Sequence, residues 1–429
     1  MSHRLPRIQL LLTGNELMSG DTIDSNSALI ARRLGELGLP VARKVTLGDD
    51  AGALERELRE MANNADFLLV NGGLGPTVDD LTAEILARAA GVPLSEHPEA
   101  LAHLETWCQR RQLPLNHANR KQAMLPAGAD VVANPIGSAV GFALSLGSCR
   151  VVCTPGVPGE LTAMLDDILV DLQQRWGLQG KRHILRLQTF GLGESTAQQM
   201  IADACPDWPP EVELGFRAGA PQLELKLAVD RSEYLPLRQR CLEQLESLFG
   251  DHIIGEGDAS LASRVLELLA GRGETLTTAE SCTGGRIASL LTQVPGSSAA
   301  FHAGFVTYHN TIKQRVLGVS EESLQRWGAV SEAVVREMAL GALERASANY
   351  AIAVSGVAGP DGGSPDKPVG TVWLAWGSAD DLKTRCLHWP VERTLFQTMV
   401  AAAGLDAIRR MLLGLPEDSR YFRQRKTSG

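Results

Sequence analysis

The chain lacks the features that would place it outside a reducing compartment or inside a membrane. Its seven cysteines, Cys108, Cys149, Cys153, Cys205, Cys241, Cys282 and Cys386, include no Cys-x-x-Cys pair. An odd, scattered set excludes a disulfide framework and a zinc knuckle, and reads as small buried apolar residues in a reducing compartment. No stretch approaches the ~18–20 apolar residues of a membrane span, and Ile8–Leu12 is too short for a signal-peptide core. A cytoplasmic protein with no membrane partner is expected. Excess positive charge is also missing: 41 basic against 50 acidic residues leave a formal charge of −9. Such a chain repels a phosphate backbone, so nucleic acid is not an expected partner. No low-complexity segment or short repeat is present.

What is present fits two or three globular domains: 429 residues, 44% hydrophobic and 21% charged. Over 1–178, short apolar runs alternate with helical spacing. Strands are predicted over Ile8–Thr13, Val41–Leu47, Asp66–Val70 and Cys149–Cys153, and helices over Ser25–Leu37, Ala53–Ala62, Leu81–Ala90 and Leu161–Gln174. That order predicts an α/β fold with a parallel or mixed sheet and helices on both faces. Residues 180–256 read as a small α+β linking module, with strands over Arg182–Thr189 and Gln222–Val229 and helices over Ser195–Ala202 and Leu235–Leu248. It resembles, loosely, small RNA-binding (KH-like) folds, without their basic patch or aromatic platform. Residues 258–415 form a second α/β domain. Its predicted elements include a helix over Ser260–Leu269, a strand over Thr275–Ala279, a strand over Ala303–Tyr308 and a last helix over Thr394–Leu413. The polar tail 416–429 is expected to fray.

The most informative stretch is Ala279-Glu280-Ser281-Cys282-Thr283-Gly284-Gly285. A strand enters a helix through Ser, Thr and two glycines, which predicts a helix start with free N–H groups that suits an anion. It also sets a serine hydroxyl at a strand end. The plain alternative is an N-cap and a tight turn. No G-x-S-x-G elbow is present, so a nucleophilic Ser281 needs another base. Lys313 is the candidate, provided burial lowers its pKa, with Tyr308 able to donate to or relay for the amine. His309 is the alternative base. A second glycine loop, Ser355–Gly363, suits another backbone cradle.

In the N-terminal part, Gly72-Gly73-Leu74-Gly75-Pro76-Thr77-Val78-Asp79-Asp80 is a glycine loop followed by two carboxylates. It suits a diphosphate with a divalent ion, or merely a capping box from Thr77 to Asp80. Gly14-Asn15-Glu16 with Asp24 and Asn26 forms a second group, in which Asp24 or Ser25 could simply cap the next helix. Both groups follow apolar strands, so in a parallel sheet both lie at its carboxyl edge, where such sheets bind ligands.

Ala279–Gly285, Tyr308 and Lys313 with Asn310 between them, Gly328-Ala329-Val330-Ser331-Glu332 and Ser355-Gly356-Val357-Ala358-Gly359-Pro360 together resemble the C-terminal domain of the CinA family. That domain is a nicotinamide-nucleotide amidase. The resemblance implies that nicotinamide mononucleotide is hydrolysed to nicotinate mononucleotide and ammonia without a cofactor. It implies Ser281 as nucleophile, Lys313 as general base and Tyr308 as a hydrogen-bonding partner. Thr283, Gly284 and Gly285 would line an oxyanion or phosphate site, with Asn310, Gly356, Ala358, Gly359 and Arg393 as further substrate contacts. Where the family commonly has Gly-Asp-Arg, this chain has Val391-Glu392-Arg393.

The first part resembles the family's molybdopterin-binding-like domain. Further matches are Asn119–Gln122, Asn134–Gly137, Thr154–Glu160 and Thr189–Ser195. This resemblance implies an ADP-ribose pyrophosphatase in some members. Asn15, Glu16, Asp24, Asn26, Gly72, Gly73, Gly75 and Thr77 would hold the nucleotide, and Asp79 and Asp80 a magnesium, manganese or cobalt ion. Asn15 replaces a family aspartate, removing a carboxylate, and Val140 replaces a common proline. A catalytically silent nucleotide-binding domain, or a non-enzymatic accessory in competence or DNA damage, is the alternative. A homodimer is the expected assembly.

Overall fold

The computed structural model describes residues 4–178, 182–417 and 422. The chain divides into two compact units, 1–183 and 184–429.

The first unit is built on a six-stranded mixed sheet. Val41–Leu47, Ile8–Thr13, Phe67–Asn71 and Cys149–Thr154 lie side by side and parallel. Gly141–Leu146 and Asp130–Val132 extend it antiparallel. Every residue of Ile8–Thr13 and of Phe67–Asn71 is buried. The reason is that helices cover both faces. Leu11, Leu68, Val70 and Val151 pack into a core on one side. Leu10, Leu12, Leu69 and Val152 pack on the other. Strands buried on both faces need unbroken apolar runs, which is how these were readable. The helix Pro98–Arg110 and the antiparallel pair were not foreseen.

The second unit holds two sheets, one in the stretch expected to be a linking module and one in the stretch expected to be the C-terminal domain, and the two stretches belong to one compact unit. The module has a four-stranded sheet in which Glu213–Gly219, an unforeseen strand, pairs antiparallel with Gln222–Val229. Glu194–Ala204 and Leu235–Phe249 are its helices. The C-terminal sheet runs Phe301–Val306, Leu276–Glu280, Tyr350–Gly356, Thr371–Gly377, Leu382–His388. The first three are parallel and the last two antiparallel. Side chains alternate by size across it. Ile352, Val354 and Leu374 face Leu261–Ala270 and the long helix Arg393–Leu413. Ala351, Ala353 and Ala375 face Glu332–Ala346, which packs close against these small residues.

Two features fix elements that carry the site. The long helix is anchored at its far end, where Arg409 bonds Asp406 Oδ1 at 2.8 Å and the carbonyls of Ile253 (2.9 Å) and Asp251 (2.7 Å). Arg409 and Asp406 are both buried, so this pair tolerates no loss of one partner. The expected frayed tail lies largely outside the described residues, but Phe422 is buried, its ring 6.1 Å from that of Trp376. The second feature is the crossing of Glu332–Ala346 with Asn310–Leu317. A Cβ on Gly341 would lie 1.9 Å from the Leu317 carbonyl oxygen. Gly341→Ala must open that crossing. It is expected to destabilise the protein by about 1–3 kcal/mol, read as a lowered denaturation midpoint. Unchanged stability would show that the crossing is loose.

Candidate active site

Ser281 follows the buried strand Leu276–Glu280, and its N–H donates to the Val354 carbonyl at 3.1 Å. Thirty-two residues on, Lys313 lies on Asn310–Leu317 with only 1% of its surface exposed. Its Nζ sits 3.0 Å from Ser281 Oγ, 2.6 Å from the Thr307 carbonyl and 3.2 Å from the Tyr308 carbonyl. Three ligands in this arrangement suit a neutral amine that donates twice and turns its lone pair toward the serine hydroxyl. Burial is the chief cause that lowers the lysine from 10.5 to about 8, and no carboxylate pairs with it to oppose this. The expected serine–lysine pair is therefore in contact. His309 is exposed and bonds Thr311, away from Ser281.

Tyr308 departs from expectation. Its backbone carbonyl, not its phenol, meets the amine. The phenol is 61% exposed and accepts from Arg393 Nη2 at 3.0 Å. The cause is geometric: the strand ends at Val306 and the chain turns into the lysine helix, sending the ring outward.

At the expected anion mouth, Thr283, Gly284 and Gly285 line a cleft of about 420 Å³ together with Arg286 and Gln397, but the N–H groups of the helix start are already engaged. Glu280, fully buried, fills the start of the helix Arg286–Thr292 with its own carboxylate. Oε2 accepts from Thr283 Oγ1 (2.7 Å), Gly285 N (3.0 Å) and Ile287 N (3.1 Å), and Oε1 from Ala288 N (2.8 Å). Gly284 N donates to the Ser281 carbonyl at 3.1 Å. The helix start is thus occupied by protein. The sequence contained Glu280 inside the quoted motif, but nothing there signalled that its side chain would bend forward over the next turn. Gln397, also missed, donates to the Cys282 carbonyl at 2.9 Å and braces the turn from the last helix.

Around this pair, Arg393 Nη1 donates to the Gly359 carbonyl at 2.7 Å. Glu392 caps the last helix through Thr394 N (2.8 Å) and Leu395 N (3.1 Å). The Val391-Glu392-Arg393 departure therefore keeps the arginine at the site. Ser355 Oγ donates to the Ala329 carbonyl at 2.7 Å, joining two of the quoted motifs. Gly356 ends its strand where a Cβ would lie 2.7 Å from the Thr371 carbonyl oxygen. Ala358 is buried, and Asn310 is exposed at the first turn of the lysine helix.

In the first unit, Gly14, Glu16, Gly72, Gly73, Gly75, Asp79 and Asp80 line one cleft of about 500 Å³ at the carboxyl edge of the parallel strands, with Asp49 and Pro155–Pro158. Gly72 has φ 115°, and a Cβ there would lie 2.4 Å from the Thr13 carbonyl oxygen, so only glycine fits. Other expected contacts are spent internally. Asn15 and Asp49 bond reciprocally, Asn15 N to Asp49 Oδ2 at 3.0 Å and Asp49 N to Asn15 Oδ1 at 3.1 Å. Asp24 caps the next helix through Ser27 N at 2.9 Å and pairs with Lys44 at 3.0 Å. Burial raises its pKa, but the bonds from Ser27 and Lys44 outweigh this and hold it below the usual range. Asn26 Nδ2 donates to Asn71 Oδ1 at 2.9 Å and to the Gly156 carbonyl at 2.7 Å. Asp80 Oδ2 accepts from Thr77 N at 2.8 Å, but the helix begins only at Thr82, so this is a closed turn and not a capping box. Val140 is buried in the core. Asp49 is raised by burial and by Glu16, Asp79 and Asp80 nearby. No three His, Cys, Asp or Glu side chains among the described residues stand close enough to share a metal ion.

No disulfide joins the cysteines among the described residues; five are buried, and Cys205 and Cys386 are half-buried. No helix of the described residues is long and apolar enough to cross a membrane.

Comparison with known proteins agrees with this division. The family model for the CinA C-terminal domain matches 258–412, and that for a probable molybdopterin binding domain matches 9–174. A CinA-like protein of Colwellia psychrerythraea is 49% identical over 424 residues, 98% of each chain. A Shewanella oneidensis protein named nicotinamide-nucleotide amidohydrolase PncC is 38% identical over 409 residues, 95% of this chain and 96% of that one. Among solved structures, a CinA superfamily protein from Klebsiella pneumoniae is 39% identical, covering 36% of this chain and 96% of its own, at TM-score 0.35.

The buried amine carries a direct test. In protein labelled with ¹³C at lysine Cε, one resonance is expected to titrate near pH 8, below the ordinary lysine value of 10.5, and to vanish in Lys313→Met. Titration of every lysine near 10.5 would contradict the burial argument.

Proposed function

The chain belongs to the CinA family, and on that footing we propose that its C-terminal site hydrolyses the carboxamide of nicotinamide mononucleotide. The observation that carries this reading is Ser281 Oγ held 3.0 Å from the amine of a buried lysine. Neutral Lys313 donates to the Thr307 and Tyr308 carbonyls and accepts the Ser281 hydroxyl proton. Ser281 Oγ attacks the carboxamide carbon as its proton passes to Nζ. The tetrahedral centre collapses, the C–N bond breaks, and the lysine returns the proton to the departing nitrogen, which leaves as ammonia. Water then attacks the acyl ester, giving its proton to Nζ. The C–O bond breaks, Ser281 is reprotonated, and nicotinate mononucleotide is released. Each step needs the amine to alternate between two protonation states near neutral pH, which a lysine near 8 supports. No cofactor enters this scheme. Arg393, half-buried and paired with the Tyr308 phenol, is the cation we assign to the substrate phosphate. We place the protein in the cytoplasm, as a homodimer.

For the first unit we propose a nucleotide-binding cleft without hydrolysis. The observation that supports this is the cleft of about 500 Å³ at the carboxyl edge of the parallel strands, lined by Gly14, Gly72, Gly73 and Gly75. The divalent ion of the implied ADP-ribose pyrophosphatase fits poorly. Asn15 is a loop brace, Asp80 is spent on Thr77, and although Glu16, Asp49, Asp79 and Asp80 line the same cleft, no three carboxylates among the described residues stand close enough to share an ion. No step is derived through such an ion. A non-enzymatic role would leave the buried lysine without a purpose.

Ammonia release from nicotinamide mononucleotide, measured with a chelator present, is expected from the full-length protein and not from Ser281→Ala. Release from both, or from neither, contradicts the assignment. The unprotonated lysine is the active form, so kcat/KM should rise with pH through a limb near 8 and level above it. Lys313→Met should lower kcat by ~10²–10⁴-fold. Tyr308→Phe removes one solvent-exposed, charge-assisted bond from Arg393, so a loss of about fivefold, chiefly in KM and with the limb unmoved, is expected. ADP-ribose with magnesium, manganese or cobalt should bind by calorimetry yet yield no AMP; AMP would overturn the silent-cleft reading.

A further inference from the structure

The helix after the nucleophile turn begins with a carboxylate already in place, and this has a bearing on how the serine is aimed. Glu280 contributes no exposed surface, yet carries an acidic side chain. An ionisable group in such a position is retained only if it is fully bonded. Here four donors, three of them backbone N–H groups of residues 285–288, meet its two oxygens. Its backbone is tied down as well. The Glu280 carbonyl accepts from Thr307 N at 2.8 Å, and the Thr307 carbonyl is the closest ligand of the Lys313 amine. The next residue is Ser281. One residue therefore sets the turn that presents the nucleophile on one side and the strand end that holds the base on the other.

We infer that Glu280 is the positioning residue of the catalytic turn. Its carboxylate closes the helix start to the substrate's anionic groups and locks Ser281 against the Lys313 amine. This rests on the deamidase reading and deepens it: the phosphate does not bind at the helix start, and the turn is fixed before substrate arrives. Removing the negative oxygen loosens the turn and lowers turnover without weakening ground-state binding.

The test uses full-length Glu280→Gln and Glu280→Ala beside the wild type. Glu280→Gln keeps the shape but turns an N–H₂ toward backbone donors. It is expected to lower kcat for nicotinamide mononucleotide by about 10²-fold, the size of effect seen when a preorganised donor is lost. KM should stay within about threefold and the pH limb of Lys313 should not move, since the geometry is altered and not the lysine's burial. In Glu280→Ala, added formate should recover kcat at least about tenfold, by refilling the position with a carboxylate, where equal chloride does not. The release of p-nitrophenol from p-nitrophenyl acetate by Ser281 needs the turn but not the nucleotide, and should fall in parallel. Glu280→Gln within twofold of wild type in both assays, a shifted limb, or formate no better than chloride would overturn the inference. If Glu280→Ala fails to fold, Glu280→Gln carries the test alone. A wild type that acylates but releases no ammonia overturns the deamidase reading while still testing Glu280.

Discussion

One amine organises the C-terminal domain. Lys313 is removed from water, and a buried cationic group with no carboxylate beside it would be costly if it stayed charged. The structure resolves this by supplying neutral ligands only: two backbone carbonyls and one hydroxyl. That choice depends on the strand Phe301–Val306 ending where Thr307 and Tyr308 can turn their carbonyls inward. It depends as well on Gly341 letting two helices cross closely enough to bury the lysine stem. Replacing either carbonyl by a carboxylate would hold the proton on the amine and remove the base.

Both candidate sites use the carboxyl ends of parallel strands, and they differ in how the freed backbone groups are spent. In the first unit, glycines let Thr13 and the 72–75 loop approach, and both line the cleft of about 500 Å³. In the second, Glu280 consumes the helix start, and the reactive groups are a serine at a strand end and a lysine from the neighbouring helix Asn310–Leu317. The same edge therefore serves as an open cleft in one case and as a filled, rigid mount in the other.

How much of this the sequence disclosed follows from the physics of each element. Ile8–Thr13 and Tyr350–Val354 were legible because burial on both faces demands apolar residues throughout. Asn310–Leu317 was not read as a helix because its buried positions are Lys313 and Leu317, and a lysine in the core erases the apolar stripe. Glu213–Gly219 was missed because its residues are half-buried or exposed and show no alternation. Ser281 and Lys313 were found through residue type and motif. The Tyr308 phenol and the Glu280 carboxylate were misplaced or overlooked because side-chain direction is decided by the turn, not the spacing. Asn15 read as a lost carboxylate, whereas its amide works as a brace to the facing loop.

The helix Arg393–Leu413 gives the second unit something like a mechanical arm. Gln397 and Arg393 touch the catalytic turn and the glycine loop at one end, while Arg409 and Arg410 grip Asp251 and Ile253 of the linking module at the other. Twenty-one residues span about 31 Å, so a one-degree tilt at the anchored end moves the other by about half an ångström. Catalytic alignment is sensitive on that scale. The module's tilt and the aim of the arginine are therefore one mechanical variable, and sequence drift at the anchor is constrained by chemistry that takes place at the opposite end of the helix.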